Sequence, residues 1–265
     1  MATDNAAGES PVAVGVDVGG SGIKVGVVDV AKGELISARL RVATPSPSTP
    51  PDVVRAISRT VSRAIKEAGG VPSDLPVGVG VPSVVIDGVT KSAANTDPGW
   101  SDFDARRALE SALKRRVTVL NDVDAAGLAE MRFGAGIGEP GVVFVLTLGT
   151  GVGSGLFNDG VLVPNTELGH MEIRGRDAER RSAAAARTRR GLSWKAWATD
   201  LDEHLAAIDK LFSPNLIILG GGVSKQPEKF IPRLTIRPRV VPAKLRNDAG
   251  IVGAAMAAAE RRLGG

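Results

Sequence analysis

The sequence predicts an α/β fold made of two related lobes around a central cleft. Strand-type and helix-type hydrophobic periods alternate along the chain, the pattern of sheets backed by helices. A glycine-rich turn between two apolar runs occurs at residues 17–24 and again at 147–155, so one architecture is used twice. At 265 residues there is room for two domains of ordinary size. The expected division is a disordered tail over 1–11, a first lobe over 12–120 and a second over 121–265.

The first lobe opens with apolar runs at 12–16, 23–30 and 34–42, separated by the glycine turn and by Lys32-Gly33. A Pro- and Ser-rich stretch at 45–51 leads into a helix whose Val53, Ile57, Val61 and Ile65 recur every four residues. Thr49 is placed to cap it and Gly69 to end it. Residues 77–81 alternate Val and Gly, a strand with one bare face that predicts close approach of a helix or a ligand. A helix at about 102–115 and a strand at 117–120 follow, and the strand ends on Asn121-Asp122. After a helix at 124–133 the hairpin pattern repeats. Trp194, Trp197, Leu201, Leu205, Ile208 and Phe212 then mark a long amphipathic helix, with the tryptophans expected in the core. A strand at 216–219 breaks into Gly220-Gly221-Gly222, and an Ala-rich helix at 250–261 closes the chain.

Hydrophobic residues make up 43% of the chain and aromatic residues only 3%, so the core must be aliphatic. The absence of cysteine excludes disulfides and thiolate metal sites, and it accords with the reducing cytoplasm as the expected location. No apolar run approaches the roughly 18 residues of a membrane-spanning helix, so no membrane partner is expected. The first eleven residues lack the charged and apolar regions of a signal peptide.

Each glycine turn reads as a hairpin tip that presents backbone N–H groups, and glycine lets that backbone come close to an anion. Gly19, Gly20, Ser21 and Gly22 form the first tip, Gly149, Thr150 and Gly151 the second, with hydroxyl donors on Ser21, Thr147 and Thr150. Asp17 at the entrance and Lys24 at the exit of the first turn add charge that a simple tight turn does not need. Together the tips point to a phosphoryl-transfer clamp. Asp122, between a strand and a helix, is placed to accept a proton from a substrate hydroxyl. The same Asn121-Asp122 pair also fits a chain turn, with Asp124 capping the next helix. Downstream, Asn165, Glu167 and His170 gather around Gly169. Mixed donors and acceptors of this kind suit a polyhydroxylated substrate, whose buried hydroxyls each need a partner. His204, the other histidine, reads as an ordinary surface or helix residue. Without cysteine or a His-Glu-x-x-His motif, catalytic zinc is not expected.

Residues 17–21, 148–151 and 219–224 resemble the phosphate-1, phosphate-2 and adenosine segments of the actin, Hsp70 and hexokinase superfamily. That resemblance implies RNase H-like lobes of the actin-like ATPase kind. Asn121-Asp122 and Glu167-Leu168-Gly169-His170 are similar to the sugar-kinase signature of the ROK family (repressors, open reading frames, kinases). Longer stretches at 92–97, 121–130, 163–170 and 245–255 resemble its actinobacterial branch that uses inorganic polyphosphate, and the likeness runs from about Val12 to Ala259. The resemblance implies transfer of phosphate from polyphosphate, and from ATP, to the 6-hydroxyl of glucose. Asp122 is implied as the base, with Asn95, Asn121, Glu167, His170 and Glu179 on the sugar. Asp17 is implied to hold Mg2+ through water, and Gly19, Gly20, Ser21, Gly22, Lys24, Gly149, Thr150, Gly151, Gly220, Gly221 and Gly222 to line phosphates and nucleotide. A homodimer is implied too. The alternative within the fold is an ATP-only hexose or N-acetylmannosamine kinase. A sugar-sensing regulator would need a DNA-binding region, and a non-catalytic member would have lost the base. Many ROK proteins carry a cysteine-rich zinc segment after the Glu-x-Gly-His motif; this chain has arginines there, so no zinc is carried over.

Arg174, Arg176, Arg180, Arg181, Arg187, Arg189, Arg190 and Lys195 crowd that segment, and Lys225, Lys229, Arg233, Arg237, Arg239, Lys244 and Arg246 form a second basic series. A solvated face would account for such runs. Both adjoin site motifs, however, so a track for a polyanion is expected. Nucleic acid fits less well, because no helix-turn-helix precedes the first strand and stacking aromatics are scarce.

Overall fold

The computed structural model describes residues 11–72, 74–93 and 96–263. The tail expected over 1–11, apart from Pro11, and Asn95 lie outside the described residues. Strands β1 (Val12–Gly19) and β2 (Gly22–Asp29) pair antiparallel with Gly19 opposite Gly22, so Gly20-Ser21 is the tip of the first hairpin. The run over 34–42 is not one strand. It splits into β3 (Glu34–Leu35) and β4 (Leu40–Val42), both paired with β2, because the Ser37 hydroxyl takes the Val27 N–H at 3.0 Å and interrupts the ladder.

Helix α1 (Pro50–Ala68) starts on Thr49, whose hydroxyl accepts the Asp52 N–H, and ends at Gly69 with φ 57°. Strand β5 (Val77–Val81) runs parallel to β1. A small sheet of β6 (Val85–Ile86), β7 (Val89–Thr90) and β8 (Phe103–Asp104) precedes α2 (Ala105–Leu113) and β9 (Val117–Asn121), which is parallel to β5. Helix α3 (Asp122–Phe133) leads to the second hairpin, β10 (Val142–Leu148) with β11 (Val152–Asn158), and β11 pairs with β12 (Val161–Val163). The hairpin β13 (Glu172–Ile173) and β14 (Arg176–Asp177) and the short helices α4 (Glu179–Ser182) and α5 (Ala184–Arg189) follow. The long α6 (Trp194–Phe212), β15 (Leu216–Gly220), β16 (Arg239–Pro242) and α7 (Ala249–Leu263) complete the fold.

The main sheets have the orders β3-β2-β1-β5-β9 and β12-β11-β10-β15-β16. Position for position the strand directions agree, two antiparallel pairings and then two parallel ones. Alternation along the strands sorts the core into layers. Val14, Val16 and Val18 of β1 pack with Val53, Ile57 and Val61 of α1, and Phe144, Leu146 and Leu148 of β10 with Leu201, Leu205 and Ile208 of α6. Trp197 is fully buried among the latter, as expected for the helix face. At about 1.5–3 kcal/mol per fully buried large aliphatic side chain, these layers are the main source of stability.

The opposite sheet faces look inward to α3 and α7. Ala13 joins Ile251, Val252 and Ala255, while Val143, Val145, Phe157 and Ile218 form the layer beside α3. Although α7 follows the second sheet in sequence, it packs on β1 and β5 of the first. Glycines make this possible: a methyl group at Gly15 would run into the Ile251 carbonyl, and one at Gly78 into that of Ala254. The bare face expected of β5 therefore meets helices, Gly78 against α7 and Gly80 against the start of α3 at Asp122.

Candidate active site

The parallel strands β5 and β9 end side by side, and α3 starts where β9 stops. Asn121 is the cap: its Oδ1 accepts the N–H groups of Val123 at 2.8 Å and Asp124 at 3.1 Å, and its Nδ2 donates to the Ser83 carbonyl at 3.2 Å. Asp124 is therefore not the cap. It is buried, and its Oδ2 accepts the Asn165 N–H at 2.8 Å. With Asn121 holding the turn, Asp122 becomes the first helical residue and lines a cleft of about 540 Å³.

Gly20 and Ser21 of the first tip and Gly149, Thr150 and Gly151 of the second line this cleft, together with Asn121, Glu167, His170 and Glu179. Most of the residues singled out from sequence thus meet in one place. Gly19 borders a smaller adjoining cavity with Thr44, Ser48 and Trp100. Asp17 and Lys24 sit behind the first tip, joined by a 2.7 Å ion pair. Gly22 lies against the Arg41 guanidinium, and Gly221 packs on the Leu148 backbone at the end of β10. Pro82, Ser92, Val123, Thr147 and Gly153 also line the cleft. Of these, Pro82 could have been found from its place just past the carboxyl end of a parallel strand.

Burial pushes the Asp122 carboxyl up to about 7, helped by the charge of Asp17; the Val123 N–H works against this and Glu167 adds to it. Asp124 is raised to about 6, again mainly by burial, with the Asn165 N–H opposing and Glu167 adding. Glu167 is raised by burial, partly offset by His170 and reinforced by Glu179. Glu179 anchors the second tip, since its Oε2 accepts the Val152 N–H at 2.9 Å and lies against Gly151. The His170 Nδ1 stands 3.2 Å from Asp177 Oδ2.

His204 departs from its sequence reading. It is only 1% exposed, with Nε2 at 3.0 Å from the Leu168 carbonyl and Nδ1 at 2.9 Å from the Ser182 hydroxyl. Burial lowers its pKa, so the ring is neutral, Nε2–H donates to Leu168 and Nδ1 accepts from Ser182. From α6 it braces the short turn Leu168–His170 that follows Glu167.

His170, Asp177 and Glu179 place ligand atoms within 4.8 Å of one another. Behind the first tip, Asp17 carries a carboxylate close enough to that of Asp122 for their charges to interact. Hard oxygen donors beside two phosphate-type loops fit a hydrated Mg2+. Among the described residues no helix is long and apolar enough to cross a membrane.

Duplicated sheets closing on a cleft, with a glycine hairpin tip in each half and a helix-terminal carboxylate between them, define the actin-like ATPase class of fold. Residues 13–191 match the ROK family, and the chain belongs to it. It is 46% identical over 244 residues to a polyphosphate glucokinase of Mycobacterium tuberculosis strain CDC 1551 / Oshkosh, covering 92% of this chain and 89% of the relative. The inorganic polyphosphate/ATP-glucomannokinase of Arthrobacter sp. strain KM superposes with a TM-score of 0.91 at 48% identity, over 94% of this chain and 99% of that one. A ROK family glucokinase from Streptomyces griseus, in complex with glucose and AMPPNP, superposes at 0.79 with 26% identity, over 94% and 99% of the two chains.

Proposed function

We propose that this chain is a kinase that transfers phosphate from inorganic polyphosphate, and from ATP, to the 6-hydroxyl of glucose. The observation that carries the chemistry is Asp122, set at a helix start in the cleft wall with its pKa raised to about 7. A base so poised takes the hydroxyl proton near neutral pH as the hydroxyl oxygen bonds to phosphorus. The bond between that phosphorus and its bridging oxygen breaks, and the shortened polyphosphate or ADP departs. The glycine tips hold the donor, so positioning does much of the work. Glu167 and His170 take the other sugar hydroxyls. Asn121 and Glu179 shape the site, since the first caps α3 and the second anchors Val152. Lys24 acts through Asp17, its ion-pair partner. Bound Mg2+ would supply charge neutralisation at the donor phosphates, held by Asp17 through water.

The identities of 46% and 48% to relatives named for polyphosphate favour this donor over the ATP-only alternative. The two lobes, 12–120 and 121–265, each supply one main sheet and one glycine tip, with α7 returning to the first. A cytoplasmic homodimer that binds neither membrane nor nucleic acid belongs to the same reading. The test is purified protein with glucose and Mg2+, given either donor, with glucose 6-phosphate measured. Product from both donors is expected, and none without Mg2+. Product from ATP alone would return the chain to the ATP-only kinases.

A further inference from the structure

The basic series that follow the site motifs divide into two groups once their partners are known. Arg174 and Arg181 pair with Glu203, Arg181 and Arg190 with Asp200, Arg237 with Asp209 and Arg239 with Glu139. These five arginines each face a carboxylate that offsets part of their charge. The other ten residues of the two series make no ion pair among the described residues, and of these ten Arg187 and Lys229 alone stand over an aromatic ring.

Both converge on one ring. The Arg187 guanidinium lies 3.9 Å from the Trp194 ring centroid and the Lys229 ammonium 5.7 Å from it. Phe230 stacks on the same indole at 5.9 Å and 16°, and is itself fully buried edge-on to Trp197. The ring is thus a fixed platform that gathers two like charges without an acid to offset them. Cation–π attraction holds each cation but does not remove their mutual repulsion. The Arg187 Nε is buried with no hydrogen-bond partner, so stacking on the indole rather than a hydrogen bond from Nε holds the guanidinium.

The platform is tied to the donor side of the cleft. Arg187 lies on α5, and two residues earlier the Ala185 N–H donates to the Gly149 carbonyl of the second tip at 3.0 Å. Lys229 ends the short 3-10 turn that follows the one at Gly222–Lys225.

We propose that Arg187 and Lys229, held on Trp194, form an anion subsite for the distal phosphates of a polyphosphate donor whose terminal phosphates lie at the glycine tips. The proposal rests on the polyphosphate-kinase reading above. A long chain fills both tips and subsite. ATP and tripolyphosphate spend their few phosphates at the tips and gain less from it.

The experiment compares the wild type with Arg187→Gln, Lys229→Gln and the double variant, using long-chain polyphosphate, tripolyphosphate or ATP as donor across a salt series. The KM for long-chain polyphosphate should rise about tenfold or more in the double variant, with a shallower salt slope because fewer counterions are displaced. The KM values for ATP and tripolyphosphate should rise by less than about threefold. Equal rises for all three donors, or a rise confined to ATP, would overturn the subsite. Lys229 is exposed, so Lys229→Gln alone decides the matter if the Arg187 variants fail to fold. A wild type that makes no product from polyphosphate sinks the functional reading instead. Direct binding of long-chain polyphosphate then judges the subsite: about tenfold weaker binding by Lys229→Gln supports it, and equal binding rejects it.

Discussion

Asn165, from the second half of the chain, pairs with the backbone of Val85 in the first. Its Oδ1 accepts the Val85 N–H at 2.8 Å and its Nδ2 donates to the Val85 carbonyl at 2.9 Å, so the amide stands in for a neighbouring strand. Its own N–H is held by Asp124, two residues beyond Asp122. The segment carrying Glu167 is thereby fixed to both the small β6-β7-β8 sheet and helix α3. Asn165 has φ 63°, which Asn tolerates better than most residues. Asn165→Ala should therefore cost about 1–3 kcal/mol in urea unfolding, from lost hydrogen bonds and backbone strain. The KM for glucose should rise more than kcat falls. A variant with wild-type stability and KM would show that the pairing positions nothing.

Asp122→Asn should lose about 10²-fold or more in kcat while still binding glucose, because the amide keeps its hydrogen-bonding capacity but cannot take a proton. The stability effect has the opposite sign. The ordinary carboxyl value of 3.8 is raised to about 7 on folding, so between these values the folded chain holds a proton that the unfolded chain releases. Ionising Asp122 therefore costs stability as pH rises from about 4 to 7, and the cost is full above 7. The Asn variant should gain on the wild type over that window, by about 1 kcal/mol or more at pH 8. Wild-type kcat/KM should fall as pH drops below about 7, since the base must be ionised. Melting curves and pH–rate profiles of both proteins check this, and near-normal turnover by the variant would remove Asp122 from the role.

Glu167→Gln and His170→Ala should raise the KM for glucose with a smaller effect on the KM of either donor. Both side chains line the cleft beyond Asp122, on the turn braced by His204. Equal damage to donor and acceptor binding would place them on the phosphates instead.

The duplication was legible because each glycine tip interrupts an apolar hairpin, and Thr49, Gly69 and Trp197 took their expected places. What stayed hidden depended on partners far along the chain. The run at 34–42 reads as one strand because nothing local reveals that the Ser37 hydroxyl will take the Val27 N–H. Strands of two residues, such as β6 and β7, are too short to carry a period. His204 looks like any polar residue of an amphipathic helix until Ser182 and Leu168 close on it. The arginines likewise read as one basic run, since Asp200 and Glu203 meet them only through the packing of α6 on α4. Asp122, Glu167 and His170 were readable because their motifs are contiguous, whereas Ser92 reaches the cleft only through the fold.

The glycines should separate into those that serve packing and those that serve the donor. A methyl group at Gly78 would run into the Ala254 carbonyl, which belongs to helix backbone and cannot swing aside as a flexible side chain can. Gly78→Ala should thus push α7 off β5 and destabilise the protein by about 1–3 kcal/mol or more, the scale of overpacking. Once folded at low temperature it should keep its KM values. Gly20 and Gly149 line the cleft, and a methyl group at either meets no atom within 4 Å. Gly20→Ala and Gly149→Ala should therefore melt close to the wild type. The added methyl would instead stand where a phosphate must approach the backbone N–H groups, raising the KM of both donors about tenfold with little change for glucose. Thermal melting with two-substrate kinetics on the three variants is the measurement. Wild-type donor KM values in Gly20→Ala and Gly149→Ala would mean that the tips are only tight turns, and the phosphoryl-transfer clamp would have to be sought elsewhere in the cleft.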